Sequence, residues 1–133
     1  MSLKVMLKDV ADHYATANQF GSISESHKQA ISQIKRANLG LKPHYKVLDL
    51  GVGKGSFLQQ LRPIMPLADF TGIDISLDML KQASKALPLT TIETSATEAS
   101  NYLPHHSQDL VLAHFINAYI PINTLFNEAN LLT

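Results

Sequence analysis

Three glycines that follow an apolar segment are the first residues in this chain whose spacing suggests chemistry. Residues 46–50 read KVLDL, and Gly51, Gly53 and Gly55 come directly after them. Three glycines within five residues let the backbone turn sharply and approach a ligand where any Cβ atom would collide. A flexible turn would need no ligand, but the position after a short apolar run favours a cofactor loop.

The residues around this loop indicate which cofactor it suits. A phosphate-binding loop is excluded, because no Gly-Lys-Ser/Thr triplet follows a glycine at the required interval. The dinucleotide fingerprint fits imperfectly, since Ser56 stands where glycine or alanine is expected. Asp49 lies two residues ahead of the first glycine, and a carboxylate there suits an ammonium or sulfonium better than a pyrophosphate. These features favour a cationic cofactor over NAD.

A second carboxylate, Asp74, directly follows the next apolar strand-like segment. An acidic side chain at that place can accept both hydroxyls of an adenosine ribose. It can also cap the helix that begins near Ser76, and the two roles are compatible.

The remaining pattern supplies the elements that would position these side chains. A capping box at residues 22–25 begins a helix that Gly40 and Pro43 close, and residues 4–15 show a weaker helical pattern. Downstream, strand-like and helical segments alternate, which predicts a parallel sheet with helices on both faces. The predicted strands are 46–50, 70–73, 90–94 and 110–115, with a helix at 77–86 and a last helix capped by Asn123, in which Leu125, Ala129 and Leu132 share one face.

Two motifs at this spacing resemble those of the class I S-adenosylmethionine-dependent methyltransferases. VLDLGVGKG at 47–55 is similar to motif I of that family, and GIDISLDML at 72–80 is similar to its second motif. QDLVLA at 108–113 resembles the family's fourth strand, and the resemblance runs from about Tyr14 to Phe126. It implies an α/β, Rossmann-like three-layer sandwich with a mostly parallel sheet, here truncated after about four strands. We therefore expect a single, incomplete domain with an N-terminal helical segment at 1–43 and the S-adenosylmethionine-binding core at 44–133.

The resemblance also implies roles for the residues of the first two motifs. Asp49 and the backbone of the loop at Gly51, Gly53 and Gly55 would hold the methionine moiety of S-adenosylmethionine. Asp74 would hold the ribose.

The adenine would be bound by residues of the second motif and of the segment after the third predicted strand. Ile75 and Met79 would sandwich the ring, with Ser95, Ala96 and Thr97 along its edge. Many family members have aspartate where this chain has Ser95. A neutral hydroxyl should weaken that contact by about 1 kcal/mol.

His114, at the end of the fourth predicted strand, is the candidate catalytic residue. Ligands of open parallel sheets bind beyond the carboxyl ends of strands, and an imidazole there could take a proton from an acceptor. A histidine satisfied by a backbone partner is the alternative. Neighbouring side chains could line an acceptor pocket or shape the loop, and one N-terminal side chain could close over the cofactor or simply pack: Phe115, Asn117, Tyr119 and Tyr14.

Composition limits the other classes of partner and site. Among 133 residues, 11 acidic and 11 basic residues balance, so no net field draws the chain to nucleic acid or to an anionic membrane. The absence of cysteine excludes disulfides and thiolate ligands. Adjacent His105 and His106 lack a third ligand at suitable spacing, so no metal site is expected. With no secretory signal and no apolar run of roughly 20 residues, the expected location is the cytoplasm.

The sequence therefore favours a methyltransferase that acts on a small-molecule or carrier-bound acceptor. A non-catalytic S-adenosylmethionine-binding or regulatory module is the alternative, and an NAD-dependent oxidoreductase is disfavoured by Asp49 and Ser56. Without a fifth strand, the edge of the fourth predicted strand would be unpaired, which predicts a homodimer through that edge. Alternatively, Leu125, Phe126 and Leu131 would fold back over it.

Overall fold

A computed structural model describes residues 3–5, 25–113 and 120–133 of the chain. Five parallel strands form one sheet in the order β1-β5-β2-β3-β4. The strands are β1 (Leu3–Val5), β2 (Lys46–Leu50), β3 (Asp69–Asp74), β4 (Thr90–Glu93) and β5 (Leu110–Ala113). The helices are α1 (Glu25–Arg36), α2 (Ser56–Leu61), α3 (Leu77–Ala86) and α4 (Ile122–Leu132), with 3₁₀ segments at Leu39–Leu41 and Ala96–Asn101.

Two apolar clusters, one on each face of the sheet, give the fold its three layers. Strands alternate their side chains between faces, so Val47 and Leu48 of β2 belong to different clusters. The first cluster joins the sheet to α1, α2 and α3, and the second joins it to α4 and the segment Ala96–Asn101. The predicted Rossmann-like sandwich with a parallel sheet is confirmed.

Helix α1 ends earlier than its apolar pattern indicates. Ala30 and Ile34 are fully buried, and the helix stops at Arg36, ahead of the Gly40 that the sequence indicated as its end. Asn38 then adopts a left-handed conformation with φ 60°. Asparagine tolerates that conformation, so it provides the stop signal that the sequence pattern assigns to glycine.

Helix α4 carries the predicted apolar face but begins elsewhere. Leu125, Ala129 and Leu132 are at most 1% exposed and pack against the sheet. The helix begins at Ile122 after Pro121 and has no side-chain cap, so the prediction of Asn123 as the cap was wrong. Pro121, with φ −60° and ψ 135°, is extended and directly precedes the first helical residue.

The edge of β5 is not free, contrary to prediction. Strand β1 pairs with β5 in parallel, with Leu3 opposite Leu110 and Val5 opposite Leu112. The weak helical pattern over 4–15 was therefore wrong at its first two residues, because pairing across the length of the chain overrides local propensity. The homodimer predicted through this edge is untested, but it loses the unpaired strand on which it rested.

The predicted alternative for this edge is also not what the structure has. Phe126 and Leu131 remain 38% and 40% exposed, and β1 occupies the place beside β5 instead.

Candidate functional site

The predicted cofactor loop lies at the carboxyl end of β2, in the middle of the sheet. Gly51, Gly53 and Gly55 have φ values of 73°, 58° and 82°, which lie in the left-handed region that side chains with a Cβ rarely adopt. The loop is anchored to the neighbouring strand, because the Gly51 and Val52 amides donate to the Ile73 carbonyl at 2.8 and 2.9 Å.

Gly53 and Gly55 face different surroundings. A Cβ built on Gly53 would meet no atom within 4 Å, so this residue borders open space. A Cβ on Gly55 would lie 3.1 Å from Leu87 and 3.3 Å from the Ala83 Cβ. Gly55 thus lets the loop pack closely against α3, a structural reason for glycine that does not require a ligand. Its predicted part in cofactor binding stays a prediction.

Asp74 joins this loop to the start of α3. One carboxylate oxygen accepts from the Gly53 amide and the other from the Ser76 amide, each at 2.9 Å. The Asp74 carbonyl also accepts from the Thr94 amide at 3.1 Å. Each carboxylate oxygen can accept further bonds, so a diol could still bind there. The cap of α3 itself is Ser76, whose hydroxyl accepts from the Met79 amide.

Asp49 is the most unusual side chain of the site. It is 0% exposed, and neither carboxylate oxygen has a hydrogen-bond partner among the described residues. Burial, and secondly the nearby Asp74 carboxylate, raise the pKa of Asp49 well above its usual range. A buried carboxylate without a partner is costly. A cationic group beside Asp49 would remove that cost.

The second motif presents apolar side chains to solvent next to Asp74. Ile75 is 71% exposed and Met79 is 40% exposed. Their exposed apolar surfaces, next to a carboxylate that can accept ribose hydroxyls, could cover a flat apolar ring.

The segment after β4 lies beside the same end of the sheet. Ser95 caps the segment Ala96–Asn101: its hydroxyl accepts from the Thr97 amide at 3.3 Å and lies 2.9 Å from the Thr97 hydroxyl. Ala96 is 7% exposed and belongs to the second apolar cluster. Part of the Ser95 acceptor capacity is therefore used locally, which the sequence did not indicate.

The structure brings the predicted cofactor residues together. The ends of β2, β3 and β4 meet at one edge of the sheet and are joined by the bonds of Asp74 to Gly53 and Thr94. Their individual roles stay predictions. His114 lies outside the described residues, as do Tyr14, Phe115, Asn117 and Tyr119.

A buried acidic residue also lies near the site, at a position that the sequence motifs did not indicate. Glu128 of α4 is 6% exposed and bonds Ser100. Its position was readable, since it follows Leu125 by three residues and precedes Leu132 by four, which puts a charge on the apolar face of the helix.

Two absences apply to the described part of the chain. In residues 3–5, 25–113 and 120–133, no three His, Asp or Glu side chains are grouped so as to hold a metal ion. Within the same ranges, no helix has the length and apolar character needed to cross a bilayer.

A glycine loop and two carboxylates at the carboxyl edge of a parallel α/β sheet are typical of domains that bind a nucleotide cofactor. Comparison with known proteins indicates which family of such domains this is. Residues 47–131 match the family described as "Methyltransferase domain". Trans-aconitate 2-methyltransferase of Klebsiella pneumoniae (strain 342) is 40% identical over 68 residues, which cover 51% of this chain and 26% of that protein. The enzyme of the same name from Enterobacter sp. (strain 638) is 36% identical over 87 residues, covering 64% and 33%.

Solved structures share the fold. The plantazolicin methyltransferase BpumL in complex with SAH superposes with a TM-score of 0.59 at 22% identity, covering 90% of this chain and 51% of that one. Precorrin-6y C5,15-methyltransferase from Geobacter metallireducens gives a TM-score of 0.61 at 19% identity, covering 89% and 61%.

The chain belongs to the methyltransferase domain family, and the resemblance to class I S-adenosylmethionine-dependent methyltransferases is confirmed. The aligned part spans only about a quarter to a third of the curated relatives described above.

Proposed function

We propose that this chain binds S-adenosylmethionine and forms the cofactor half of a methyltransferase for a small-molecule acceptor. The observation that carries the proposal is the buried carboxylate of Asp49, which has no hydrogen-bond partner among the described residues. It lies beside a glycine loop that borders open space at Gly53. The ammonium of an amino acid moiety would neutralise the Asp49 carboxylate. The backbone of that moiety would occupy the open space at Gly53.

The residues present fit the whole cofactor. Asp49 would balance the ammonium of the methionine moiety, and the open face at Gly53 admits its backbone. Asp74 keeps lone pairs for the ribose hydroxyls while it anchors the loop. The exposed Ile75 and Met79 offer apolar contact to the adenine. NAD would instead place a pyrophosphate near the carboxylate of Asp49, which is unfavourable.

The chemistry asks little of the protein beyond binding and orientation. When bound, S-adenosylmethionine supplies a methyl group activated by its sulfonium, which departs as a neutral thioether when the acceptor takes the methyl. The contribution of this chain's residues would be to hold the cofactor in a fixed orientation toward the acceptor, and such positioning supplies much of the rate.

The acceptor we propose to test first is a carboxylate such as trans-aconitate, because the curated relatives carry that substrate in their names. A carboxylate is already ionised at neutral pH and needs no general base. His114 would therefore be required as a base only for a hydroxyl or amine acceptor. A carrier-bound acceptor, a homodimer and a cytoplasmic location remain predictions.

Calorimetric titration with S-adenosylmethionine, S-adenosylhomocysteine and NAD tests the cofactor. The two sulfur nucleosides should bind and NAD should not. If neither sulfur nucleoside binds, the proposal is wrong.

Mass spectrometry of an acceptor mixture containing trans-aconitate and its fully esterified form then tests the reaction. Methylation of the free acid alone identifies a carboxylate acceptor. Cofactor binding without transfer to any acceptor favours the non-catalytic module.

A further inference from the structure

A buried carboxylate on α4 holds the segment that flanks the adenine side of the candidate site. Glu128 is 6% exposed. One of its oxygens accepts from the Ser100 amide at 2.9 Å, and the Ser100 hydroxyl, 3.0 Å from both oxygens, shares its single proton between them. No cation forms an ion pair with Glu128 in the described part of the chain, so Ser100 supplies the bonds that compensate its burial there.

Ser100 belongs to the 3₁₀ segment Ala96–Asn101, which Ser95 caps. Such segments have poorer hydrogen-bond geometry than an α-helix and depend more on external contacts for their position. The Ser100 amide donates to Glu128, which anchors the far end of the segment to α4.

The near end of the segment is fixed by a different bond. The Thr94 amide donates to the Asp74 carbonyl at 3.1 Å, and Ser95 follows Thr94 directly. The hydroxyls of Ser95 and Thr97 thus stand between two anchors, the backbone of Asp74 on one side and the carboxylate of Glu128 on the other. Where these hydroxyls lie depends on both.

We propose that Glu128 is a positioning residue that sets recognition of the adenine amino group by holding the Ser95–Thr97 hydroxyl pair in place. The inference rests on the proposed function, since it assumes an adenosine cofactor. One lone pair of the Ser95 hydroxyl is taken by the Thr97 amide. When Ser95 donates its proton to the Thr97 hydroxyl 2.9 Å away, a single, directional acceptor is left for an amino group. A small displacement of the segment would misalign that bond while the ribose bonds to Asp74 persist.

The experiment compares two ligands that differ at the adenine amino group and at the protonation of the adjacent ring nitrogen. S-adenosylhomocysteine and S-inosylhomocysteine, whose purine carries oxygen in that place, are titrated calorimetrically into the purified chain. The wild type should prefer the adenosyl compound. The preference is the dissociation constant of the inosyl compound divided by that of the adenosyl compound. Glu128→Ala should lower this ratio by about two- to tenfold, the effect of one misaligned hydrogen bond.

Two further variants separate positioning from general loosening of α4. Glu128→Gln keeps the shape and one acceptor for the Ser100 amide, so it should retain most of the preference. Leu132→Ala removes a fully buried contact of the same helix without touching Ser100. It should lower the melting temperature but leave the ratio unchanged.

The outcomes are distinct. An unchanged ratio in Glu128→Ala, an equal change in Leu132→Ala, or a wild type that binds both nucleosides equally well overturns the inference and leaves the proposed function intact. A wild type that binds neither nucleoside overturns the proposed function and the inference with it.

Discussion

Replacing Asp49 by asparagine should stabilise the ligand-free protein and at the same time weaken cofactor binding. The carboxyl group is fully buried without a hydrogen-bond partner in the described residues, and burial and Asp74 raise its pKa. Asparagine has nearly the same shape but cannot ionise. The substitution therefore removes the cost of a buried charge and also removes the group that would balance a ligand cation.

The magnitude follows from proton linkage. The folded state keeps the Asp49 proton at pH values where the unfolded chain, with an ordinary pKa of about 3.9, has released it. Stability contributed by this group is therefore complete below about pH 4 and is lost as the pH rises toward the raised folded pKa. The loss is at most about 1.4 kcal/mol per pH unit. The asparagine side chain does not titrate, so the variant should gain on the wild type by up to that amount per unit.

Chemical denaturation of both proteins between pH 4 and pH 8 measures this difference. All other titrating groups are common to the two proteins, so their contributions largely cancel. The curves of unfolding free energy should converge near pH 4 and separate above it, with the Asp49→Asn protein the more stable. A wild type that is equally or more stable at pH 8 would mean that the folded protein holds Asp49 as a partnered carboxylate, and our reasoning would be refuted.

Three other substitutions test the site. Asp74→Ala should weaken S-adenosylhomocysteine binding by about 2 to 3 kcal/mol, because charge-assisted hydrogen bonds are lost; the control Asp78→Ala, at an exposed position of α3, should bind normally. Calorimetry measures both dissociation constants, and a value for Asp74→Ala equal to that of the wild type would mean that Asp74 only anchors the loop. Gly53→Val should abolish cofactor binding in a folded protein, because the valine side chain would fill the open space that the cofactor needs. Normal binding would show that the cofactor does not contact this loop. Gly72→Ala should lower the melting temperature, since its Cβ would lie 2.8 Å from Val52; an unchanged transition would contradict that packing.

The parts of the fold that could be predicted are those with a local signal. The apolar run of β2 followed by glycines, and the cap of α3 at Ser76, each lie within a few residues of the feature that they determine. The pairing of β1 could not be predicted, because three residues carry too little pattern and their partner β5 lies at the other end of the chain.

For the site, residue types were easier to predict than surroundings. Asp49, Gly53 and Asp74 lie at the same end of the sheet, as expected. The sequence could not show that Gly55 faces α3, or that the Ser95 hydroxyl is hydrogen-bonded to Thr97. These contacts depend on the three-dimensional arrangement of the chain, which the local sequence pattern does not determine. Glu128 was within reach of the helical pattern, since a charge amid Leu125 and Leu132 requires a buried partner.

The same arrangement ties stability to ligand charge. Asp49 and Asp74 are close enough for the second to raise the pKa of the first, and neither forms an ion pair with a cation in the described residues. A ligand that brings positive charge favours the ionised form of Asp49 and, by binding the folded state, stabilises it by mass action. S-adenosylmethionine carries a sulfonium that S-adenosylhomocysteine lacks. If both ammonium and sulfonium act on these carboxylates, the cofactor would be held more tightly than the product. In the proposed reaction, loss of the methyl group would then weaken the attraction that retains S-adenosylhomocysteine.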